Sequence, residues 1–143
     1  MTLASVRIER VVDWQDTDAA GHYHHSTIIR WVEAAESALY ERLGCLHLFG
    51  VIPRIKYDVE YSERLWHQDH VQIELTVSRI GTSSMSFEFR VDRDGTVAAT
   101  GTLTVVHTDG ARGGSSPWPE HIRASFETGG QQQPSLTPTN TTN

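Results

Sequence analysis

The chain has 143 residues, 38% of them hydrophobic, which suits one domain with a single moderate core and excludes a wholly unstructured polymer. Twelve Lys plus Arg against eighteen Asp plus Glu give a formal net charge of −6. That acidic balance repels a phosphate backbone and argues against nucleic-acid binding. No apolar run approaches the roughly 20 residues of a membrane-spanning helix, and Cys45, the single cysteine, offers no disulfide framework.

Met1 to Arg10 mixes charged and apolar residues and lacks the apolar block of a secretory leader, so a cytoplasmic protein is expected. From Ser5 to Asp16 the alternation of Val6 and Ile8 with Arg7 and Glu9 predicts a strand, with an irregularity near Arg10 where the alternation shifts. Asp18-Ala19-Ala20-Gly21-His22 has turn chemistry. Beyond it Ile28, Val32, Ala35, Leu39 and Leu43, widened by Trp31 and Ala38, recur at helical spacing. Arg30, Glu33, Ser37 and Glu41 occupy another face, where Arg30 and Glu33 are spaced to pair. Ser26 is the candidate N-cap and Gly44 the stop signal, giving a helix of about 18 residues, or ~27 Å.

The rest is β patterning. Ile55, Tyr57, Val59 and Tyr61 alternate with charged residues, and Val71, Ile73, Leu75 and Val77, then Met85, Phe87, Phe89 and Val91, alternate with polar ones. A last strand is expected over Val97 to His107, with Gly81 and Asp94-Gly95 as hairpin turns. One strand, one long helix and four further strands predict an α+β fold, a curved antiparallel sheet of about five strands wrapped around the central helix. Pro117 to Phe126 suggests a short closing helix. From Thr128 the composition is Gly, Gln, Pro, Ser, Thr and Asn, with Leu136 as the one apolar residue, so 1–127 is read as the domain and 128–143 as a disordered tail.

Chemistry concentrates in the segment from Trp14 to Ser26, which holds Asp16, Asp18, Gly21, His22, His24 and His25 ahead of the helix. Both aspartates also suit a turn. A helix start with free N–H groups favours developing negative charge on a carbonyl oxygen, so a carboxylate facing it is half of an acyl-transfer site.

Asp16-Thr17-Asp18-Ala19-Ala20-Gly21, Trp31-Val32-Glu33-Ala34, Leu43-Gly44, Val59-Glu60-Tyr61 and Gly81-Thr82-Ser83 resemble the 4-hydroxybenzoyl-CoA thioesterase family. Within it the similarity is closest to the Tol–Pal-associated bacterial acyl-CoA thioesterases, including the His seven residues beyond the second Asp, here His25 after Asp18. The resemblance covers about residues 5 to 126. It implies the hotdog fold and hydrolysis of an acyl-CoA, with Asp18 as nucleophile or general base. It also implies a backbone N–H near His25 that polarises the carbonyl, with the His25 side chain assisting. Gly21, His22, Tyr23, His24 and Glu33 are the expected substrate-binding residues, although Glu33 also suits a solvated ion pair. Where many relatives carry an apolar or aromatic stretch, His22-Tyr23-His24-His25 makes the pocket mouth polar. No cofactor is expected and no metal, since a metal site needs three or four converging ligands and Cys45 lies too far along. Trp66, His67 and His70 fall in a β-connection, either lining an acyl channel or capping the sheet edge.

Competing readings are an acyl carrier protein (polyketide-type) thioesterase, a hotdog dehydratase or hydratase, and a non-catalytic acyl-CoA binder. The resemblance implies edge-to-edge homodimers with a shared pocket, and pairing into a homotetramer is expected. The small, uncharged face of Ala98, Thr100, Thr102, Thr104 and Val106 is a candidate packing surface.

Overall fold

Period-two alternation places the apolar residues of each strand on one face. In the computed structural model, which describes residues 3–132, the strands are β1 (Ser5–Val11), β2 (Arg54–Tyr61), β3 (His70–Ile80), β4 (Ser84–Arg93) and β5 (Thr96–Val106). They form one antiparallel sheet in the order β1-β3-β4-β5-β2. The long helix α1 (Thr27–Leu43) packs on it, burying Ile28, Trp31, Val32, Ala35, Ala38 and Leu39 in one core with Ile8, Ile73, Leu75, Phe87 and Leu103. Each large apolar side chain so buried contributes roughly 1.5–3 kcal/mol. The expected α+β arrangement, a sheet wrapped on one central helix, is present.

Several boundaries differ from the sequence expectation for physical reasons. β1 stops at Val11, and Trp14–Asp16 is a single 3-10 turn. The shift of alternation near Arg10 therefore marks the end of the strand, after which buried Val12 bonds through its N–H to the Asp69 carbonyl. Ser26 precedes α1 without a side-chain cap, because its hydroxyl bonds the His24 ring instead. Gly44 does end α1, in the left-handed conformation at φ 75°. In β2 a register shift between Arg54 and Lys56 turns Ile55 out to 62% exposure, so that strand buries little. Ala98 is fully buried within the chain, so the uncharged stripe expected on β5 is not continuous. Thr100 and Thr102 instead share a shallow groove with Glu74, Glu88 and Arg90.

The closing helix is α2 (Glu120–Thr128), seated by Ile122 and Phe126. Thr128 thus belongs to the folded domain. The next residues also dock: the Gly129 and Gly130 carbonyls accept hydrogen bonds from Arg42 at 3.2 and 2.7 Å, and Ser5 N–H donates to Gly130. The remainder of the expected tail, 133–143, lies outside the described residues.

Candidate active site

The loop from Thr17 to Ser26 is folded back against its neighbours by its own backbone. Asp18 N–H donates to the His22 carbonyl at 3.0 Å, His24 N–H to the Asp16 carbonyl at 2.7 Å, and Tyr23 N–H to the Leu65 carbonyl at 2.8 Å. Gly21 makes the reversal at φ +90°, a region costly for residues with a Cβ. Asp18 is thereby held exposed at the tip, and among the described residues its carboxylate accepts one hydrogen bond, from Ala20 N–H at 2.8 Å.

Asp18, His22, Tyr23, His25 and Tyr61 line a concavity of about 210 Å³. Four of these five residues carry aromatic rings. Tyr23 is buried against Trp31 (centroids 6.5 Å apart) and meets Tyr61 at 6.1 Å, while His22 stands edge-on to Trp66 at 5.7 Å. Burial, with Tyr61 nearby as the smaller cause, pushes the Tyr23 phenol up to about 12. Burial also raises the Tyr61 phenol, so neither ring carries charge near neutrality.

The approach to α1 has a specific pattern of donors. Tyr23, His24, Ser26 and Thr27 all place their N–H groups on acceptors: the Leu65 carbonyl, the Asp16 carbonyl, His24 Nδ1 and the His24 carbonyl respectively. Among the described residues, the His25 N–H alone of this run has no partner. An unpaired amide beside an exposed carboxylate can polarise an oxygen while the carboxylate works on the adjoining carbon.

The structure therefore gathers Asp18, His22, Tyr23 and His25 around one concavity. Gly21 forms the turn behind it, and a Cβ there would lie 3.6 Å from the Trp66 ring. His24 is committed elsewhere: its Nδ1 accepts from Ser26 N–H at 3.1 Å, and its ring lies 4.1 Å from that of His25. Glu33 is not at this concavity. It lines a separate cavity of about 600 Å³ with Ser37, Phe49, Pro53 and Arg54, and it lies 4.0 Å from Arg54, while its expected partner Arg30 binds Asp16 at 2.7 Å. Asp16 is not a simple turn former but a buried anchor, 3% exposed, that also accepts from Asp13 N–H.

Three residues, two beside this concavity and one buried behind the Arg54 cavity, are not legible as a set in the sequence. Tyr61 stands 36 positions from His25 yet donates to its carbonyl at 2.9 Å. Trp66, 44% exposed, covers Gly21 and His22. Glu36 is fully buried on α1, held by the Tyr40 hydroxyl at 2.6 Å and by Arg54. Burial pushes the Glu36 carboxyl above the ordinary carboxylate range, against the Tyr40 hydrogen bond and the Arg54 charge. The sequence signal for Tyr61 is its place at the end of an alternating run. For Glu36 the signal is its spacing, four residues after Val32 and three before Leu39, which sets it beside the apolar stripe of α1 although a carboxylate is ordinarily exposed. Among the described residues no three His, Cys, Asp or Glu side chains converge as a metal site.

Comparison with known proteins bears on the fold and the family. A 1,4-dihydroxy-2-naphthoyl-CoA hydrolase of Synechococcus elongatus is 23% identical over 128 residues, covering 85% of this chain and 94% of the relative. The solved 1,4-dihydroxy-2-naphthoyl-CoA thioesterase of Synechocystis superposes with a TM-score of 0.77 at 14% identity, covering 85% of this chain and 95% of that one. A thioesterase of Thermus thermophilus, solved with coenzyme A and zinc, gives 0.78 at 25% identity, covering 85% and 90%. The shared architecture is the hotdog fold. Since the model of the thioesterase-like superfamily matches residues 12–126, most of the chain and all of the site, the protein belongs to that superfamily and is a thioester hydrolase.

Proposed function

We propose that the protein hydrolyses an acyl-CoA thioester whose acyl group is aromatic, with Asp18 as the catalytic carboxylate. The observation that carries this reading is the concavity itself, one exposed aspartate ringed by His22, Tyr23, His25 and Tyr61. Flat rings pack on such walls in offset or edge-on contact, worth about 0.5–1.5 kcal/mol per pair beyond area burial. The relatives named for hydrolysis of a dihydroxynaphthoyl-CoA thioester support the same reading.

In this reading the thioester oxygen sits against the free His25 N–H, and the carbonyl carbon faces Asp18. Asp18 either adds to the carbon, expelling the thiolate to leave a mixed anhydride that water cleaves, or takes a proton from the water that adds. Both routes end with one water consumed, a free carboxylic acid and a protonated thiol. The His25 ring flanks the reacting carbonyl, and His22 and Tyr23 hold the ring of the acyl group. Gly21 keeps the Asp18 turn, His24 shapes the helix start, and Glu33 is assigned to the neighbouring cavity beside Arg54. The natural thiol is taken as coenzyme A, and the functional unit as a homodimer that can pair into a homotetramer.

The test is thiol release from a panel of benzoyl-type, short-chain and long-chain acyl-CoAs, with the same acyl groups on acyl carrier protein. The highest kcat/KM is expected for the aromatic CoA thioesters. A preference of about tenfold or more for aliphatic chains contradicts the aromatic assignment, and one for the carrier protein contradicts coenzyme A as the thiol.

A further inference from the structure

We infer that Tyr61 is a positioning residue that, together with His24, fixes the peptide following His25 and so aims the free His25 N–H. This role rests on the catalytic reading above and adds to it a residue from a distant strand. The peptide between His25 and Ser26 is held at both ends by side chains. Its carbonyl, that of His25, accepts from Tyr61 Oη at 2.9 Å, and its N–H, that of Ser26, donates to His24 Nδ1 at 3.1 Å. The preceding peptide is held on its carbonyl side, where the His24 carbonyl accepts from Thr27 N–H at 2.9 Å. With these three groups engaged, the His25 N–H is the one left to face a ligand.

Tyr61 suits this task. It ends β2 and lines the concavity, and its ring is set against Tyr23 at 6.1 Å, so the hydroxyl is delivered from a supported base. The raised phenol keeps its proton at neutral pH and stays a donor. Few other roles account for the contact: Tyr61 is 46% exposed and contributes little to the core. An oxyanion donor displaced by about 1 Å loses on the order of 10²-fold in rate, whereas the ground-state complex depends little on it.

Tyr61→Phe tests this, because it removes the hydroxyl and keeps the ring. The expected result is a fall of kcat by ~10- to 100-fold with KM within about twofold and an unchanged melting temperature. His24→Ala should lower kcat in the same way. The double variant should lose less than the product of the two single losses, since both side chains hold one peptide. A kcat within about twofold of the parent for Tyr61→Phe, with the parent active, overturns the inference and leaves the Asp18 assignment standing. So does a loss confined to KM, or one that tracks lost stability. A parent inactive on every thioester instead overturns the catalytic reading, and the positioning role with it.

Discussion

Two carboxylates stand two positions apart in one loop and do unlike things because their surroundings differ. Asp16 is buried, bound to Arg30 and to Asp13 N–H, and so ties the loop to α1. Asp18 is exposed at the concavity. Asp16→Ala should lower stability by about 2 kcal/mol, the scale of a hydrogen bond to a charged group. Denaturant titration checks this; a variant as stable as the parent would show that the Arg30 contact contributes nothing net. Spacing alone brings out both aspartates but leaves Asp16 as a turn residue. Its partner Arg30 lies 14 positions away, and helical spacing offers Arg30 only the local alternative, Glu33. The same limit hides Tyr61, whose contact with His25 joins a strand end to a helix start.

At the level of elements, what periodicity can encode is legible. The stripe Ile28, Val32, Ala35 and Leu39 is the buried face of α1, and the alternating residues of β3 and β4 are the inner face of the sheet. β2 is less legible because an edge strand has fewer neighbours to enforce alternation, and Ile55 and Tyr61 end up exposed. The chain end departs further from its pattern. Composition beyond Thr128 predicts no contribution, yet Gly129 and Gly130 supply carbonyls to Arg42, and Gly130 also accepts from Ser5 at the start of β1. Truncation after Gln132 should leave the melting temperature unchanged, since residues 133–143 include only Leu136 as an apolar side chain. Truncation after Thr128 should lower it by several degrees, because two acceptors of Arg42 are lost. Equal melting temperatures for the two truncations would contradict the docking.

On the scale of the whole molecule the sheet has two unlike edges. β1 is covered in part by the residues after α2, whereas β2 pairs within the sheet only with β5 and carries Ile55 at 62% exposure. An open edge strand invites a second strand, although Lys56, Asp58 and Glu60 leave this one charged. The concavity beside Asp18, about 210 Å³, is smaller than the roughly 300 Å³ at which ligand pockets begin. In the proposed dimer a second copy paired along β2 would add wall to this concavity. Light scattering at micromolar concentration should give a dimer or a tetramer. An active species at the 16.0 kDa of one chain would contradict a shared site. Glu88 and Arg90 beside Thr100 and Thr102 make that face of the sheet polar, and the light-scattering mass tests whether it joins dimers into a tetramer.

The proposed role of the Asp18 carboxylate is tested most directly by steady-state hydrolysis of an aromatic acyl-CoA by Asp18→Asn. The amide keeps the shape of the side chain and can still accept from Ala20 N–H, so the loop should hold. The predicted result is a fall of kcat by ~10²–10⁴, with the melting temperature and the affinity for a non-hydrolysable acyl-CoA thioether unchanged. Turnover close to that of the parent, in a variant shown to be folded, would contradict it.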